Sequence, residues 1–269
     1  MNIVIYVPGM PFNGSTIANG QSLGGSETSG YYLARALAER GHSVTVFANL
    51  PNGEGGLSDG VMYMPIGQVS EQTRLGDVFE RYARFTPNDL LIMQRVPFAF
   101  NGPFAAKVNL WWTHDLALQR SRPMIGGQMW NVDGVLTVSD WHRNQVCKVY
   151  DFPPSMVHVV RNAVDPDLFA KPIPAELRKQ GKWLMYTSRP ERGLMHLVER
   201  GGIMERLLAK APEVTLKVAG YDNTTQDMAP LYQRLWERCR ELPNVEMLGA
   251  LGKRELAQHM LGAWAHVYP

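Results

Sequence analysis

Two arginines on a short turn are the residues of this sequence best suited to chemistry. Arg189 and Arg192 lie within Thr187–Leu194, between an apolar run that predicts a buried strand and a pattern that predicts a helix. Such a junction presents free backbone N–H groups and the positive end of a helix dipole. Guanidinium groups also match phosphate oxygens well. The turn therefore predicts a diphosphate site; the alternative is that Arg192 pairs with Glu191 or Glu199 on a solvated helix start.

A second candidate site lies near the N-terminus, where a loop rich in Gly and Pro ends in Gly24 and Gly25. The loop follows a predicted strand at 2–7 and precedes a predicted helix, with Ser26 as its N-cap and Glu27 favouring the positive helix end. Glycines allow a ligand to approach bare backbone N–H groups. Because the GxGxxG fingerprint is absent, a pair that serves only the turn stays an alternative.

His114 and Asp115 directly follow the predicted strand at 108–112. Ligands of open α/β sheets bind beyond the carboxyl ends of the strands, so His114 is a candidate to bond a substrate hydroxyl or to act as a general base. The alternative is that Asp115 caps the next segment and His114 only bonds a backbone carbonyl. The remaining histidines lack metal-ligand spacing, which predicts no metal site.

Strands alternate with helices along the whole chain, which predicts an α/β fold with parallel sheets. In the first half we predict strands at 2–7, 42–47, 61–64, 89–93, 108–112, 134–138 and 157–160, with helices ending at Gly41 and at 70–85, 98–106 and 139–149. After a Pro-rich polar segment we predict strands at 183–187, 214–219, 245–248 and 265–268, with helices at 194–210, 226–241 and 253–264. The segment divides the chain into domains 1–170 and 171–269. Gly220, at the end of one of these strands, is a further place where backbone could meet a ligand.

Composition narrows the possible functions. Lys and Arg number 27 against 25 Asp and Glu, so the net charge is +2, and like charges do not cluster as in nucleic-acid-binding proteins. The apolar N-terminus lacks a basic region and is not expected to be a signal peptide, and no apolar run is long enough to cross a membrane. The two cysteines are far apart and lack CxxC spacing. These features predict a reduced, cytoplasmic protein.

In their order along the chain, these pieces resemble the GT-B glycosyltransferases, and more narrowly the large retaining family 4 group (glycosyl transferase group 1). The similar pieces are Gly24–Glu27 with the following helix, His114–Asp115, the passage Asn162–Asp165, and Ser188–Leu194.

The resemblance implies two Rossmann-like domains facing a cleft. Domain 1–170 would be the acceptor side and domain 171–269 the nucleotide-sugar side. The chain ends at Pro269, before the segment in which the family places two glutamates that hold the donor's sugar and ribose. We therefore expect the second domain to be incomplete and the chain to be truncated at its C-terminus.

The implied activity is transfer of a sugar from a nucleotide-diphosphate sugar to a hydroxyl of a glycan, lipid or small-molecule acceptor, with retention. No metal and no cofactor would be needed, because arginines stabilise the leaving diphosphate. The implied donor-binding residues are Gly24, Gly25, Glu27, Arg189, Arg192 and Gly220. The implied catalytic residues are His114, Arg189 and Arg192.

Two other functions remain open from sequence. A sugar-nucleotide 2-epimerase shares the fold but would use carboxylates near the anomeric carbon. A non-catalytic fragment that binds a sugar nucleotide or a glycan would fit an incomplete second domain.

Overall fold

A computed structural model of the protein describes residues 1–96, 103–126, 129–178, 181–220 and 226–269. Contacts divide the chain into two compact units. The first comprises Met1–Ala18 and Leu23–Val164, and the second comprises Asn19–Ser22 and Asp165–Pro269. The predicted boundary between residues 170 and 171 lies shortly after this division, and the roles assigned to the two domains stay predictions.

The first unit contains an almost wholly parallel sheet. Its strands are β1 (Asn2–Val7), β2 (Ser43–Ala48), β3 (Gly56–Ser58), β4 (Val61–Pro65), β5 (Asn88–Gln94), β6 (Ala106–Trp112), β7 (Gly134–Thr137) and β8 (Val157–Val159). Among the described residues, the strand order is β3-β4-β2-β1-β5-β6-β7-β8, and only β3 pairs antiparallel to its neighbour. The parallel strands predicted for this half are confirmed, with bounds that differ by one or two residues.

Strand β3 was missed by the sequence prediction. It forms a hairpin with β4 across Asp59 and Gly60, both of which have positive φ (48° and 76°). An Asp-Gly pair is a preferred sequence for such tight hairpin turns, so the signal was present in the sequence.

Strand β1 is buried on both faces, as its unbroken apolar run predicts. Val4 and Tyr6 join the hydrophobic cluster on one face of the sheet, whereas Ile3, Ile5 and Val7 join the cluster on the other. The helices that follow in this unit are α1 (Gly25–Glu39), α2 (Asp77–Phe85), α3 (Arg122–Gly126) and α4 (Asp140–Tyr150).

Two helix predictions need correction in this unit, and a third lies mainly outside the described residues. The N-cap residue of α1 is Gly24, not Ser26. Helix α2 begins at Asp77 and not at Ser70, because Arg74 has a positive φ of 61° that ends any helical path before it. The helix predicted at 98–106 falls mainly on residues outside the described ranges, and Ala106 begins β6.

The second unit repeats the parallel α/β pattern. Its strands are β9 (Lys182–Tyr186), β10 (Val214–Ala219), β11 (Val245–Gly249) and β12 (Ala265–His266), and its helices are α5 (Ala175–Arg178), α6 (Leu194–Val198), α7 (Ile203–Lys210), α8 (Ala229–Glu241) and α9 (Lys253–Gly262). The described strands lie in the order β11-β10-β9-β12, and all pairings are parallel. The strands predicted for this half are confirmed, with bounds that differ by up to two residues.

The single helix predicted at 194–210 is wrong. The chain forms α6 and α7 with a turn between them, in which Gly201 has a φ of +72°. Gly202 is the N-cap of α7, and a Cβ there would lie 2.6 Å from the Glu199 carbonyl oxygen. Two consecutive glycines therefore let the chain leave one helix and begin the next.

Among the described residues, no helix combines the length and apolar character needed to span a membrane.

Gly202→Ala should lower the free energy of unfolding by about 1–3 kcal/mol, because the added methyl group meets backbone oxygen atoms that cannot retreat. Urea denaturation followed by circular dichroism would measure the change. Arg200→Ala, at an exposed position of the same turn, is the control and should have little effect. An unchanged midpoint for Gly202→Ala would contradict the described break between α6 and α7.

Candidate active site

The N-terminus of α1 has an open backbone. Gly24 is its N-cap and supplies no side-chain hydrogen bond to the first turn. Gly25 is exposed, and a Cβ built on it would meet no atom within 4 Å. The first-turn N–H groups of a helix lack intrahelical partners. The backbone at Gly25 is therefore open to a ligand, and the donor-binding roles of Gly24 and Gly25 stay predictions.

Glu27 is buried in the first turn of α1 and binds the loop that follows β1. Its carboxylate accepts hydrogen bonds from the Met10 backbone N–H at 3.2 Å and from the Ser26 hydroxyl at 3.0 Å. Gly9 has a φ of 135°, which favours glycine, and a Cβ there would lie 2.0 Å from one carboxylate oxygen. In this structure Glu27 thus positions the loop, and its assignment as a donor-binding residue stays a prediction.

His114 lies just beyond β6, and its ring is bonded to the side chain of Gln94. Gln94 Nε2 lies 2.9 Å from His114 Nε2 and donates to the Ser26 carbonyl oxygen at 2.7 Å. The His114 ring also packs on Trp112, with 4.6 Å between ring centroids. Gln94 therefore connects the histidine to the first turn of α1, and the structure brings together the candidates Gly24, Gly25, Glu27 and His114.

Burial lowers the pKa of His114 to about 4. The nearby charges of Arg95 and His142 act in the same direction, whereas Asp115 opposes them. The imidazole is therefore neutral at physiological pH. A general base should have a pKa near the working pH, so this value favours a hydrogen-bonding role over proton transfer.

Asp115 and His142 determine the backbone path beside His114. Asp115 forms a bidentate ion pair with Arg95, at 2.8 Å and 3.0 Å. The His142 ring nitrogen Nε2 lies 2.9 Å from the Asp115 carbonyl oxygen. Among the described residues it is thus His142, and not His114, that bonds a backbone carbonyl here. The structural alternative considered for His114 is wrong in that respect.

In the second unit, two tyrosines form hydrogen bonds to the turn after β9. The Tyr186 hydroxyl donates to the Arg189 carbonyl oxygen at 2.7 Å. Arg189 Nε lies 2.8 Å from Glu191 and donates to the Tyr232 hydroxyl at 3.3 Å. Tyr232 in turn donates to Glu191 at 2.6 Å. Burial, followed by the bond to Glu191, raises the pKa of Tyr232, so its hydroxyl stays protonated.

Arg192 is exposed and does not form the ion pairs that the sequence left open. Glu191 pairs with Arg189, and Glu199 pairs with Arg234 at 3.0 Å. Within the described ranges, no carboxylate lies within salt-bridge distance of Arg192. The helix that follows, α6, has five residues. The charge at this turn therefore comes from the arginines more than from a helix dipole, which needs a longer helix.

Gly220 follows β10, and its backbone N–H donates to the Gly249 carbonyl oxygen at 2.9 Å. A Cβ at Gly220 would lie 4.0 Å from the Ser188 carbonyl oxygen, so Gly220 lies beside the arginine turn. Its N–H is already bonded, and any ligand contact there would be made by other atoms. Its role in donor binding stays a prediction.

Sequence reasoning missed Gln94 and Tyr232. Gln94 ends β5, one residue beyond the predicted strand, and a polar residue at a strand end is the same signal that identified His114. Tyr232 lies on α8, far from the arginine turn in sequence. Nothing in the local pattern indicates that contact.

Solved structures with similar folds include three glycosyltransferase-related chains. A glycosyltransferase from Rickettsia africae ESF-5 has a TM-score of 0.66 at 13% identity, and the match covers 99% of this chain and 72% of that chain. An α,α-trehalose-phosphate synthase (UDP-forming) from Burkholderia vietnamiensis has a TM-score of 0.68 at 14% identity, with 99% of this chain and 76% of that chain covered. An E. coli trehalose-6-phosphate structure bound with UDP-2-fluoro glucose has a TM-score of 0.67 at 12% identity, with 100% of this chain and 78% of that chain covered. At these identities the likeness shows the fold. The fold is that of the GT-B glycosyltransferases.

The family Glycosyltransferase Family 4 matches residues 23–168, more than half of the chain. The chain belongs to this family and is a glycosyltransferase. The match includes the α1 N-terminus and His114, and it ends before the arginine turn. No curated protein sequence matches the chain significantly.

His114 should remain neutral down to about pH 5, because burial disfavours its charged form. NMR titration of the histidine ring resonances would measure this, with the His114 signal assigned by its loss in His114→Gln. A midpoint near 6.5 would contradict the described environment.

The same shift has a consequence for stability. Below about pH 6.5 the unfolded chain takes up a proton at His114, whereas the folded protein does so only near pH 4. The free energy of unfolding should therefore fall as the pH is lowered through this range. The decrease should be smaller in His114→Gln, and the comparison with wild type separates this contribution from those of the other histidines.

Proposed function

We propose that this glycosyltransferase uses a nucleotide-diphosphate sugar as donor and that the arginine turn after β9 binds the diphosphate. The observation that carries the proposal is the pair Arg189 and Arg192 on one turn at the carboxyl end of a parallel strand, where ligands of α/β sheets bind. Arg189 is oriented by Glu191 and Tyr232. Arg192 is exposed and has no carboxylate partner among the described residues.

The charge that develops during transfer explains why two arginines suit this position. Cleavage of the bond to the anomeric carbon places negative charge on the leaving diphosphate, and preorganised donors directed at it lower the barrier. A hydrogen bond to a charged group contributes roughly 1.5–3 kcal/mol, so loss of one arginine should cost about one to two decades in rate or affinity. We propose that the arginines do this without a divalent metal or a cofactor.

In the first unit, we propose that the Gly25 backbone approaches the nucleotide sugar and that His114 donates a hydrogen bond to a sugar hydroxyl or to the developing charge. A neutral imidazole with a pKa of about 4 is a poor proton acceptor at pH 7. The proton of the acceptor hydroxyl would then pass to the departing phosphate, with attack on the same face and retention at the anomeric carbon.

The acceptor is a hydroxyl of a glycan, a lipid or a small molecule in this proposal. A cytoplasmic location is also proposed, since Cys147 and Cys239 are free thiols and a reducing compartment keeps them so. The similar E. coli structure is bound with UDP-2-fluoro glucose and the Burkholderia synthase is UDP-forming. UDP is therefore the first nucleotide to test, followed by GDP and ADP.

Arg192→Ala should weaken binding of the preferred nucleoside diphosphate by about ten- to a hundredfold without unfolding the protein, because an exposed cation is lost from the turn. Isothermal titration calorimetry of UDP, GDP and ADP would measure the change, and the thermal midpoint would report the fold. Arg192→Lys should restore binding only partly, since an ammonium group cannot form two parallel bonds to a phosphate.

The matched control is Arg200→Ala, which removes an exposed arginine a short distance along the chain. It tests whether a loss of affinity reflects only the change in net charge. Equal affinities in wild type and Arg192→Ala would overturn the assignment of the arginine turn.

Gly25→Ala should weaken binding of UDP-glucose by about tenfold or more, because a methyl group would occupy the place where a ligand reaches the backbone. A Cβ at this position meets no atom of the protein within 4 Å, so the thermal midpoint should be unchanged or slightly higher. Calorimetry and thermal unfolding together provide the test. Unchanged affinity would exclude close ligand approach at Gly25.

A further inference from the structure

We propose that Gln94 is a positioning residue: its side-chain amide holds His114 in the tautomer that carries its hydrogen on Nδ1 and connects that ring to the first turn of α1. The inference rests on the proposed function in one respect, namely that His114 contacts the substrate. The tautomer and its cause can be tested without any substrate.

Gln94 is a fully buried amide at a strand end. Its exposure is 0%, and it is the last residue of β5, in register with Trp112 of β6. Glutamine is usually an exposed residue, so an enclosed one requires an explanation. Nε2 of Gln94 lies 2.7 Å from the Ser26 carbonyl oxygen and 2.9 Å from His114 Nε2. Both bonds use the same nitrogen atom.

The carbonyl of Ser26 determines which way the amide faces. A carbonyl oxygen can only accept, so the Gln94 nitrogen, and not its oxygen, must face Ser26. The second hydrogen of that nitrogen then points to His114 Nε2, which must accept it. In a neutral imidazole only one nitrogen carries hydrogen. His114 therefore carries it on Nδ1.

This tautomer determines what His114 offers to a ligand. Nδ1 has no hydrogen-bond partner among the described residues, so its N–H is a donor available to a substrate oxygen. Protonation of Nε2 would place an N–H group against the N–H of Gln94, which disfavours the imidazolium. Gln94 thus makes His114 a permanent hydrogen-bond donor and not a proton carrier.

The amide oxygen of Gln94 indicates that this residue does more than stabilise the fold. Oε1 of Gln94 is buried without a hydrogen-bond partner within the described part of the chain. It lies against Gly30 of α1, where a Cβ would approach it to 3.3 Å. An enclosed amide oxygen with no donor is unfavourable, and an apolar side chain of similar shape would avoid it. A glutamine here is therefore better explained by the bonds of its nitrogen.

The test uses the full chain labelled with ¹⁵N-histidine, in which the shifts of the two His114 ring nitrogens identify the tautomer. Wild type should show hydrogen on Nδ1. Gln94→Met, which has nearly the same shape but no donor, should give a mixture of the two tautomers at an unchanged or higher thermal midpoint. Gln94→Glu should move the hydrogen to Nε2 and shift the titration midpoint of His114 upward by more than one pH unit, since a carboxylate accepts from that nitrogen.

Gln145→Met is the matched control. Gln145 is a partly buried glutamine of the first unit, and its side chain bonds the backbone of Ala117. This variant should leave the His114 tautomer unchanged. Hydrogen on Nε2 in wild type, or an unchanged tautomer in both Gln94→Met and Gln94→Glu, would overturn the inference while leaving the proposed function intact.

A second measurement connects the tautomer to function. Calorimetry with UDP and with UDP-glucose separates contacts to the nucleotide from contacts to the sugar. In Gln94→Met, affinity for UDP should be unchanged and affinity for UDP-glucose should fall by roughly two- to tenfold, the worth of one hydrogen bond. A changed tautomer with unchanged affinity for both ligands would overturn the proposed contact between His114 and the sugar, and with it the functional half of the inference.

Discussion

The parallel pairing of β1 with β2 on one side and β5 on the other is the constraint on which the first unit depends. Parallel strands in register end at one edge of the sheet, so residues far apart in sequence meet there. The loop after β1, the amide at the end of β5 and the histidine beyond β6 all lie at this edge. The apolar faces of β1 are buried in two separate clusters, which leaves the strand ends as the places for polar chemistry.

A neutral side chain takes part in orienting a candidate residue in each unit. In the first unit Gln94 bonds His114. In the second the Tyr232 hydroxyl bonds Arg189 and Glu191, which also form an ion pair with each other. A neutral donor or acceptor orients a group without adding charge that would have to be desolvated or balanced.

These features suit glycosyl transfer through electrostatic stabilisation. The leaving diphosphate is the group whose charge increases most, and guanidinium groups can stabilise it directly. A histidine that stays neutral and donates complements this arrangement, because it can stabilise charge on the sugar without competing for the acceptor's proton. In the proposed function the chemistry depends on oriented hydrogen-bond donors, and strong bases are not required.

The sequence alone determined the class of fold, since unbroken apolar runs alternating with helical periods admit few arrangements other than parallel α/β sheets. It also indicated Gly25, His114 and Arg192 as candidates, because each lies at the end of a predicted strand or the start of a predicted helix; their roles stay predictions. Only the tertiary structure showed that Gln94 bonds His114, that Tyr232 braces Arg189, and that Glu27 is buried against Gly9. These contacts join residues that are distant along the chain, and local patterns carry no information about them. The break between α6 and α7 was missed for a different reason: Gly201 and Gly202 are permissive, and the surrounding packing decides whether a helix continues through such a pair.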